Sequence, residues 1–106
     1  MQKNVMEKWK VIDWRPSYEV SNLGRVRNAK TKRILSTNAT KSHKHPQVWL
    51  YSEYWQASEQ FTLSHIVYNA FKEDDKVYYN NGRAGQRIGH YDGDITNNKI
   101  ENLYRY

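Results

Sequence analysis

The segment IGHYDGDITNNKIEN, residues 88–102, constrains the fold of this chain more than any other. After a short apolar start it contains a density of turn-forming side chains that fixes a backbone conformation and does not fill a hydrophobic core. The turn-forming residues are Asp92, Gly93, Asp94, Asn97, Asn98 and Asn102. The segment therefore predicts a tight polar loop with His90 at its mouth. Imidazole has an unperturbed pKa near neutral pH, so His90 is suited to take a proton from water.

The order of residues in this loop resembles the HNH nuclease motif of phage-type homing endonucleases. HYDGD at 90–94, NN at 97–98 and ENL at 101–103 are similar to the family pattern N/D-H-x-D-G-N-x-x-N-N-x-x-x-N-L. Upstream, SHIVYNAF at 64–71 is similar to the V-H-R-L-V-A-x-A-F helix that precedes the motif in that family. Because the two blocks occur in the family's order, the resemblance is specific.

A second block, near the N-terminus, resembles the NUMOD-type DNA-binding motif that commonly precedes HNH domains. It consists of WKVI at 9–12 and YEVSNLGRVRN at 18–28. Tyr18, Val20, Leu23 and Val26 are predicted to form the small core of this module. Its Arg and Lys side chains are predicted to stay outside and meet the phosphates of DNA.

The charge balance favours a polyanionic partner. Seventeen Lys and Arg against eleven Asp and Glu give a formal net charge of +6, which attracts nucleic acid over long range. Charge alone also fits a basic protein without such a partner. Five cations crowd the segment that follows Gly24, and this ribbon is predicted to contact the backbone of double-stranded DNA. They are Arg25, Arg27, Lys30, Lys32 and Arg33.

Composition excludes several other classes of protein. The chain has no cysteine, so it has neither a disulfide framework nor a zinc site built from thiolates. No segment approaches the ~20 apolar residues of a membrane span, and the N-terminus lacks an apolar run. We therefore expect no membrane partner and an intracellular location, which is the host cytoplasm if a phage encodes the chain.

The hydrophobic pattern predicts an α+β fold with two parts. Residues 1–36 form a small β-rich NUMOD-like module with strands near 8–13, 18–20, 25–27 and 33–35. Residues 47–106 form an HNH-like core of the ββα-metal type, cut short in its final helix. It holds a hairpin of strands 47–52 and 60–62, a helix from Thr62 or Ser64 to about Phe71, and a strand at 77–79. A polar connector, 37–46, and a Gly-rich loop, 80–86, complete the chain.

The resemblance to the HNH family implies roles for the loop residues. His90 is the general base, and Asn102 braces the loop and orients the base. One Mg²⁺ or another divalent metal stabilises the charge on the reacting phosphate. Two departures weaken this machinery. Gly89 stands where a metal-binding Asp or Asn is common, and the second ligand, on a following helix, would lie past Tyr106. Asp92 is then a weak candidate ligand.

These observations lead to three functional hypotheses. The leading one is a DNA-binding protein derived from a homing endonuclease, with lost or weak nuclease activity. The second is an active metal-dependent nickase that uses His90. The third is a phage inhibitor that binds a host protein through exposed aromatic side chains. The aromatic candidates are Trp49, Tyr51, Tyr54 and Trp55. Salt dependence separates the first from the third, because only phosphate contacts weaken steeply as salt rises.

The remaining histidines have structural interpretations beside functional ones. His43 and His45 would lie on one face of a strand and could bind a metal. A pair of solvated histidines in a polar loop is the favoured interpretation, since no carboxylate flanks them. His65 falls in the first turn of the predicted helix, where local packing or hydrogen bonding is favoured over a role in the site.

Overall fold

The computed structural model describes residues 6–37, 44–75 and 88–106. Within these ranges the chain forms three small antiparallel sheets and one α-helix. The strands are β1 (Trp9–Val11), β2 (Tyr18–Ser21), β3 (Val26–Asn28), β4 (Gln47–Ser52), β5 (Ala57–Thr62), β6 (Ile88–His90) and β7 (Leu103–Arg105), and the helix is α1 (Leu63–Phe71). Short 3₁₀ turns follow α1 at Glu73–Asp75 and precede β7 at Ile100–Asn102. The predicted α+β class is confirmed.

The N-terminal sheet has the order β1-β2-β3. Gly24 makes the turn between β2 and β3 with φ of +85°, a conformation that glycine adopts without a steric penalty. The predicted strand at 33–35 is reduced to one isolated bridge between Arg27 and Ile34. Lys32 breaks the extended chain just before it, because its φ is +63°.

The β4–β5 hairpin is longer than the sequence predicted. Its register runs from Gln47 opposite Thr62 to Ser52 opposite Ala57. The second strand therefore begins three residues before the predicted start at Gln60. The prediction was wrong because it placed residues 53–59 in a long connection, whereas Gln56 turns tightly with φ of +51°.

Helix α1 ends at Phe71, as predicted, and its buried face includes Leu63 and Val67. Thr62 occupies the N-cap position, but its side chain makes no capping hydrogen bond. Its hydroxyl oxygen instead accepts a hydrogen bond from Gln47 Nε2 at 3.2 Å, which holds the helix start against β4. Ser64 lies inside the helix and is not its cap. No helix in the described ranges has the length and apolarity that crossing a bilayer requires.

One hydrophobic core extends through both predicted modules. Its members come from the N-terminal sheet, the central hairpin, α1 and the C-terminal hairpin. They are Ile12, Val20, Val26, Val48, Leu50, Leu63, Ile66, Val67, Tyr68, Ile88 and Leu103. The N-terminal sheet thus shares its packing with the region that carries His90. The strand predicted at 77–79 and the loop predicted at 80–86 lie outside the described residues.

Candidate functional site

His90 is the last residue of β6 and begins the polar loop that returns to β7. In this hairpin Gly89 is paired with Tyr104, and His90 with Leu103. The loop closes at its base through a hydrogen bond from the Tyr91 N–H to the Asn102 carbonyl at 2.9 Å. Two buried strand residues, Ile88 and Leu103, anchor the hairpin in the core. The imidazole is therefore attached to a rigid strand end.

Asn102 braces the loop from within. Its Nδ2 donates to Asp92 Oδ1 and to the Asn97 carbonyl, both at 2.9 Å. Its Oδ1 accepts from the Asp92 N–H at 3.2 Å. Asn102 is buried, and an amide that both donates and accepts across the loop fixes its two sides relative to each other. These contacts fit the loop-bracing part of the role expected from the family pattern.

The side chain that hydrogen-bonds to His90 is Asn98. Its Oδ1 lies 2.8 Å from His90 Nε2, and its Nδ2 donates to the Ile95 carbonyl at 3.2 Å. With the amide nitrogen engaged as a donor, Oδ1 is the acceptor, so Nε2 carries the proton. The lone pair of the neutral imidazole is then on Nδ1. Sequence reasoning placed Asn98 among the loop residues, and nothing in the sequence singled it out as the partner of His90.

Both oxygens of the Asp92 carboxylate accept hydrogen bonds from the loop. Asn97 Nδ2 donates to Oδ2 at 2.8 Å, and the Asp94 N–H donates to Oδ1 at 2.8 Å. Together with the bond from Asn102, these donors lower the pKa of Asp92 to about 2, with Asn97 the largest cause. They favour the anion by direct hydrogen bonding. The hydrogen bonds that Asp92 accepts thus stabilise the conformation of the loop.

The described residues do not fit a divalent ion held in the way the family pattern implies. A Cβ at Gly89 would lie 2.3 Å from Tyr104 Cζ, so the ring of Tyr104 occupies the space that a ligand side chain would need. Both oxygens of Asp92 accept hydrogen bonds that hold the loop, so a metal ion would have to share these oxygens with loop donors. Among the described residues, no three or more His, Asp or Glu side chains are grouped so as to hold a metal ion.

A second imidazole lies beside the first. His45, in the loop before β4, has its ring centroid 5.9 Å from that of His90, with the planes inclined by 39°. Partial burial lowers the pKa of His45, which lies on an exposed loop, and the nearby His90 lowers it further. In α1, burial and the neighbouring His45 lower the pKa of His65. The sequence grouped His45 with His43, which lies outside the described residues, and gave no sign of the contact with His90.

The predicted DNA-binding arginines are paired with carboxylates. Arg25 binds Glu7, with Nε at 2.8 Å from Oε2, and Arg27 Nε lies 2.8 Å from Glu19 Oε1. The Arg27 guanidinium also lies 3.9 Å from the centroid of the Trp9 ring. Hydrogen bonds from these arginines are the largest cause of the lowered pKa values of Glu7 and Glu19. Much of this positive charge is therefore neutralised within the protein.

The other predicted cations are more available. Lys32 shares Glu19 with Arg27, at 3.1 Å, and its side chain is half exposed. Lys30 and Arg33 are exposed, and neither forms an ion pair inside the described ranges. The turn after β3 thus carries the positive charge of this ribbon that no carboxylate in the described ranges pairs with.

The aromatic side chains considered as a protein anchor are exposed on the β4–β5 hairpin. Trp49 and Tyr51 point outward from β4, and Tyr54 and Trp55 form the turn, with ring centroids 4.8 Å apart. Their exposure meets the geometric requirement of that hypothesis.

The N-terminal turn packs directly on the loop of His90. The Ile100 N–H donates to the Asn22 carbonyl at 2.9 Å. A Cβ at Gly24 would lie 2.9 Å from the Asn98 carbonyl oxygen. The turn between β2 and β3 therefore supports the backbone of the residue that orients His90.

Comparison with known proteins matches the N-terminal part of the chain to a sequence motif and most of the chain to a solved structure. Residues 7–51 match the NUMOD4 motif, a match that extends past the predicted module boundary at residue 36 into β4. A solved structure described as "DNA binding and cleavage by the HNH homing endonuclease I-HmuI" superposes with a TM-score of 0.73 at 25% identity. The superposition covers 93% of this chain and 52% of that one.

Two curated proteins are similar in sequence. An uncharacterized HNH endonuclease of Acanthamoeba polyphaga mimivirus is 26% identical over 99 residues, which is 93% of this chain and 27% of the relative. The chromatin structure-remodeling complex subunit SFH1 of Eremothecium gossypii is 30% identical over 80 residues, which is 74% of this chain and 20% of the relative. The chain thus spans about a quarter of these curated proteins.

Proposed function

We propose that this chain, which is similar to HNH homing endonucleases and carries a NUMOD4 motif, binds double-stranded DNA and cleaves it weakly or not at all. The observation that carries the proposal is that the ring of Tyr104 fills the space next to Gly89, where a metal-binding side chain would precede His90. The activity stated for the I-HmuI structure belongs to a chain about twice as long. We expect the protein to act inside the cell that holds its DNA target.

The proposal that the chain binds DNA rests on the positive side chains between Arg25 and Arg33 that form no ion pair in the described ranges. The net charge of +6 favours association with DNA. Lys30 and Arg33 can reach phosphates without first breaking an ion pair in the described ranges, whereas Arg25 and Arg27 have to leave Glu7 and Glu19. We therefore assign the main phosphate contacts to the turn after β3, and a supporting role to the two paired arginines.

We expect Arg33→Ala to weaken DNA binding several-fold and to make it less sensitive to salt. Removing one phosphate contact lowers the slope of log affinity against log salt by about 0.9. Fluorescence anisotropy with a labelled duplex at several salt concentrations measures both effects. Lys72→Ala is the matched control, because it also removes one exposed positive charge but follows α1 near β1, at the other edge of the N-terminal sheet. Equal losses in the two variants would contradict the assignment.

Weak cleavage follows from what surrounds His90. Its Nδ1 lone pair can take a proton from water, because Asn98 holds the Nε2–H. Phosphodiester cleavage also requires stabilisation of the negative charge on the reacting phosphate and the leaving oxygen. In the family pattern a divalent metal supplies this. Here the neighbouring position has no side chain, and the Asp92 oxygens already accept hydrogen bonds within the loop. His90 is present, but the groups that would stabilise the negative charge on the reacting phosphate are missing around it among the described residues.

The second candidate function is an active nickase, and the hydrogen bond between Asn98 and His90 favours it. A buried amide that fixes the tautomer of a histidine is the arrangement that a general base requires. In such an enzyme Asp92, water and a DNA phosphate would hold Mg²⁺ or another divalent ion.

The deciding experiment is incubation of supercoiled plasmid with the protein in Mg²⁺ or Mn²⁺, with a gel shift on the same DNA. We expect a shift without nicking. Nicking that disappears in His90→Ala and in EDTA would establish the nickase instead. If the DNA is neither shifted nor nicked, DNA binding is excluded and a protein partner becomes the better hypothesis. Thermal unfolding of His90→Ala checks that the variant is folded.

A further inference from the structure

Histidines from two distant segments meet at the mouth of the loop. His45 precedes β4, His90 ends β6, and their ring centroids are 5.9 Å apart. An imidazole nitrogen lies about 2.0–2.1 Å from a bound Zn²⁺, so two rings that share one ion have centroids on the order of 5–6 Å apart. We propose that His45 and His90 together bind one divalent transition-metal ion of the Zn²⁺ class. This site uses His90 itself and differs from the oxygen-ligand metal position that the HNH motif implies.

Asn98 prepares His90 for this role. A histidine that binds a metal through one nitrogen usually donates its other N–H to a fixed acceptor, which sets the tautomer and the ring orientation. Asn98 Oδ1 is such an acceptor at 2.8 Å, and the Asn98 side chain is buried. The Nδ1 lone pair is left available for the ion. Little reorganisation of His90 is then needed on binding.

The surroundings select a transition-metal cation over Mg²⁺. Transition metals bind imidazole well, whereas Mg²⁺ prefers oxygen ligands. Because no larger group of ligands occurs among the described residues, water completes the coordination. We therefore expect modest affinity and a preference that follows the general order of imidazole sites, with Zn²⁺ and Ni²⁺ above Co²⁺.

Metal binding at this site would compete with base catalysis. The ion occupies the Nδ1 lone pair that His90 would use to take a proton from water. Occupancy thus removes the base without any change in the DNA-binding ribbon around Arg33. The site does not require the chain to cleave DNA, so it stands apart from the proposed function.

The test is a calorimetric titration of Zn²⁺ into the whole chain, with NMR of ¹⁵N-labelled imidazoles. The chain has four histidines and no cysteine, so every imidazole signal can be assigned and no thiolate competes. We expect one saturable site, with the signals of His45 and His90 shifting together. His45→Gln and His90→Ala should each weaken binding at least tenfold, and His43→Ala should leave it unchanged.

Three results would overturn the proposal. They are the absence of saturable binding, an unchanged affinity in His90→Ala, and a loss in His43→Ala as large as that in His45→Gln. The last result would establish a local pair within the connector. Thermal unfolding without metal shows whether each variant is folded, and His45→Gln is well suited because His45 lies on an exposed loop. A gel shift on the same samples reports DNA binding separately, so failure of one idea is distinguishable from failure of the other.

Discussion

Gly24→Ala is expected to lower the free energy of unfolding by about 2–4 kcal/mol, because two penalties add at this position. The backbone has φ of +85°, where a Cβ is strained. The new methyl group would also lie 2.9 Å from the carbonyl oxygen of Asn98. That neighbour is backbone, tied into the loop, and it cannot rotate away as a side chain would. Urea unfolding followed by tryptophan fluorescence measures the loss.

Gly93→Ala is the matched control. Gly93 also has a positive φ, +74°, but nothing lies within 4 Å of its Cβ position. It should show the conformational penalty alone, about 1–2 kcal/mol. The difference between the two variants is therefore the contribution of contact with Asn98. Equal losses in Gly24→Ala and Gly93→Ala would mean that the N-terminal turn does not press on the loop of His90.

This contact gives the N-terminal sheet a second role. Asn98 orients His90 through its side chain, while its backbone lies against Gly24. The adjacent hydrogen bond from Ile100 to Asn22 fixes the same surface. A displacement of the turn would thus shift Asn98 and change the orientation of the His90 imidazole. In this fold the segment that matches the NUMOD4 motif also forms part of the support of the candidate base.

Local chemistry explains which features were predictable from the sequence. The loop around Asp92 and Asn102 was identified because its turn-forming side chains act on neighbours within the same segment. The helix ending at Phe71 and the hairpin after Pro46 were predictable from the spacing of apolar residues along the chain. The β-rich N-terminal motif was predictable for the same reason.

The features that the sequence concealed depend on long-range contacts. The approach of His45 to His90 brings together residues that are 45 positions apart in the chain. The neutralisation of Arg25 depends on Glu7, eighteen residues away. The choice of Asn98 as the partner of His90 depends on how the loop folds back, since three asparagines in this loop share the same chemistry. Side-chain type predicted the kind of contact, and only the fold determined the partner.

Gly89→Asp, which would introduce the carboxylate typical of the family pattern, is expected to destabilise the protein by about 1–3 kcal/mol and to give no cleavage. The new Cβ would meet the Tyr104 ring at 2.3 Å. To escape, the ring must leave its contacts with Tyr91 and Tyr106, at centroid distances of 4.6 and 5.8 Å. The added carboxylate thus displaces the aromatic cluster before it can approach a metal.

Removing the obstacle should reverse this result. In a Tyr104→Ala background, Gly89→Asp should destabilise less than it does alone, because contacting residues are not additive and couple by about 0.5–3 kcal/mol. Only the double variant should be stabilised against urea by Mg²⁺, which prefers oxygen ligands, since binding to the folded state raises its stability. Tyr104→Ala alone is the control for the loss of the ring. If Gly89→Asp alone gains Mg²⁺-dependent stability or nicks plasmid, Tyr104 is not the barrier, and the missing carboxylate at position 89 would by itself account for weak cleavage.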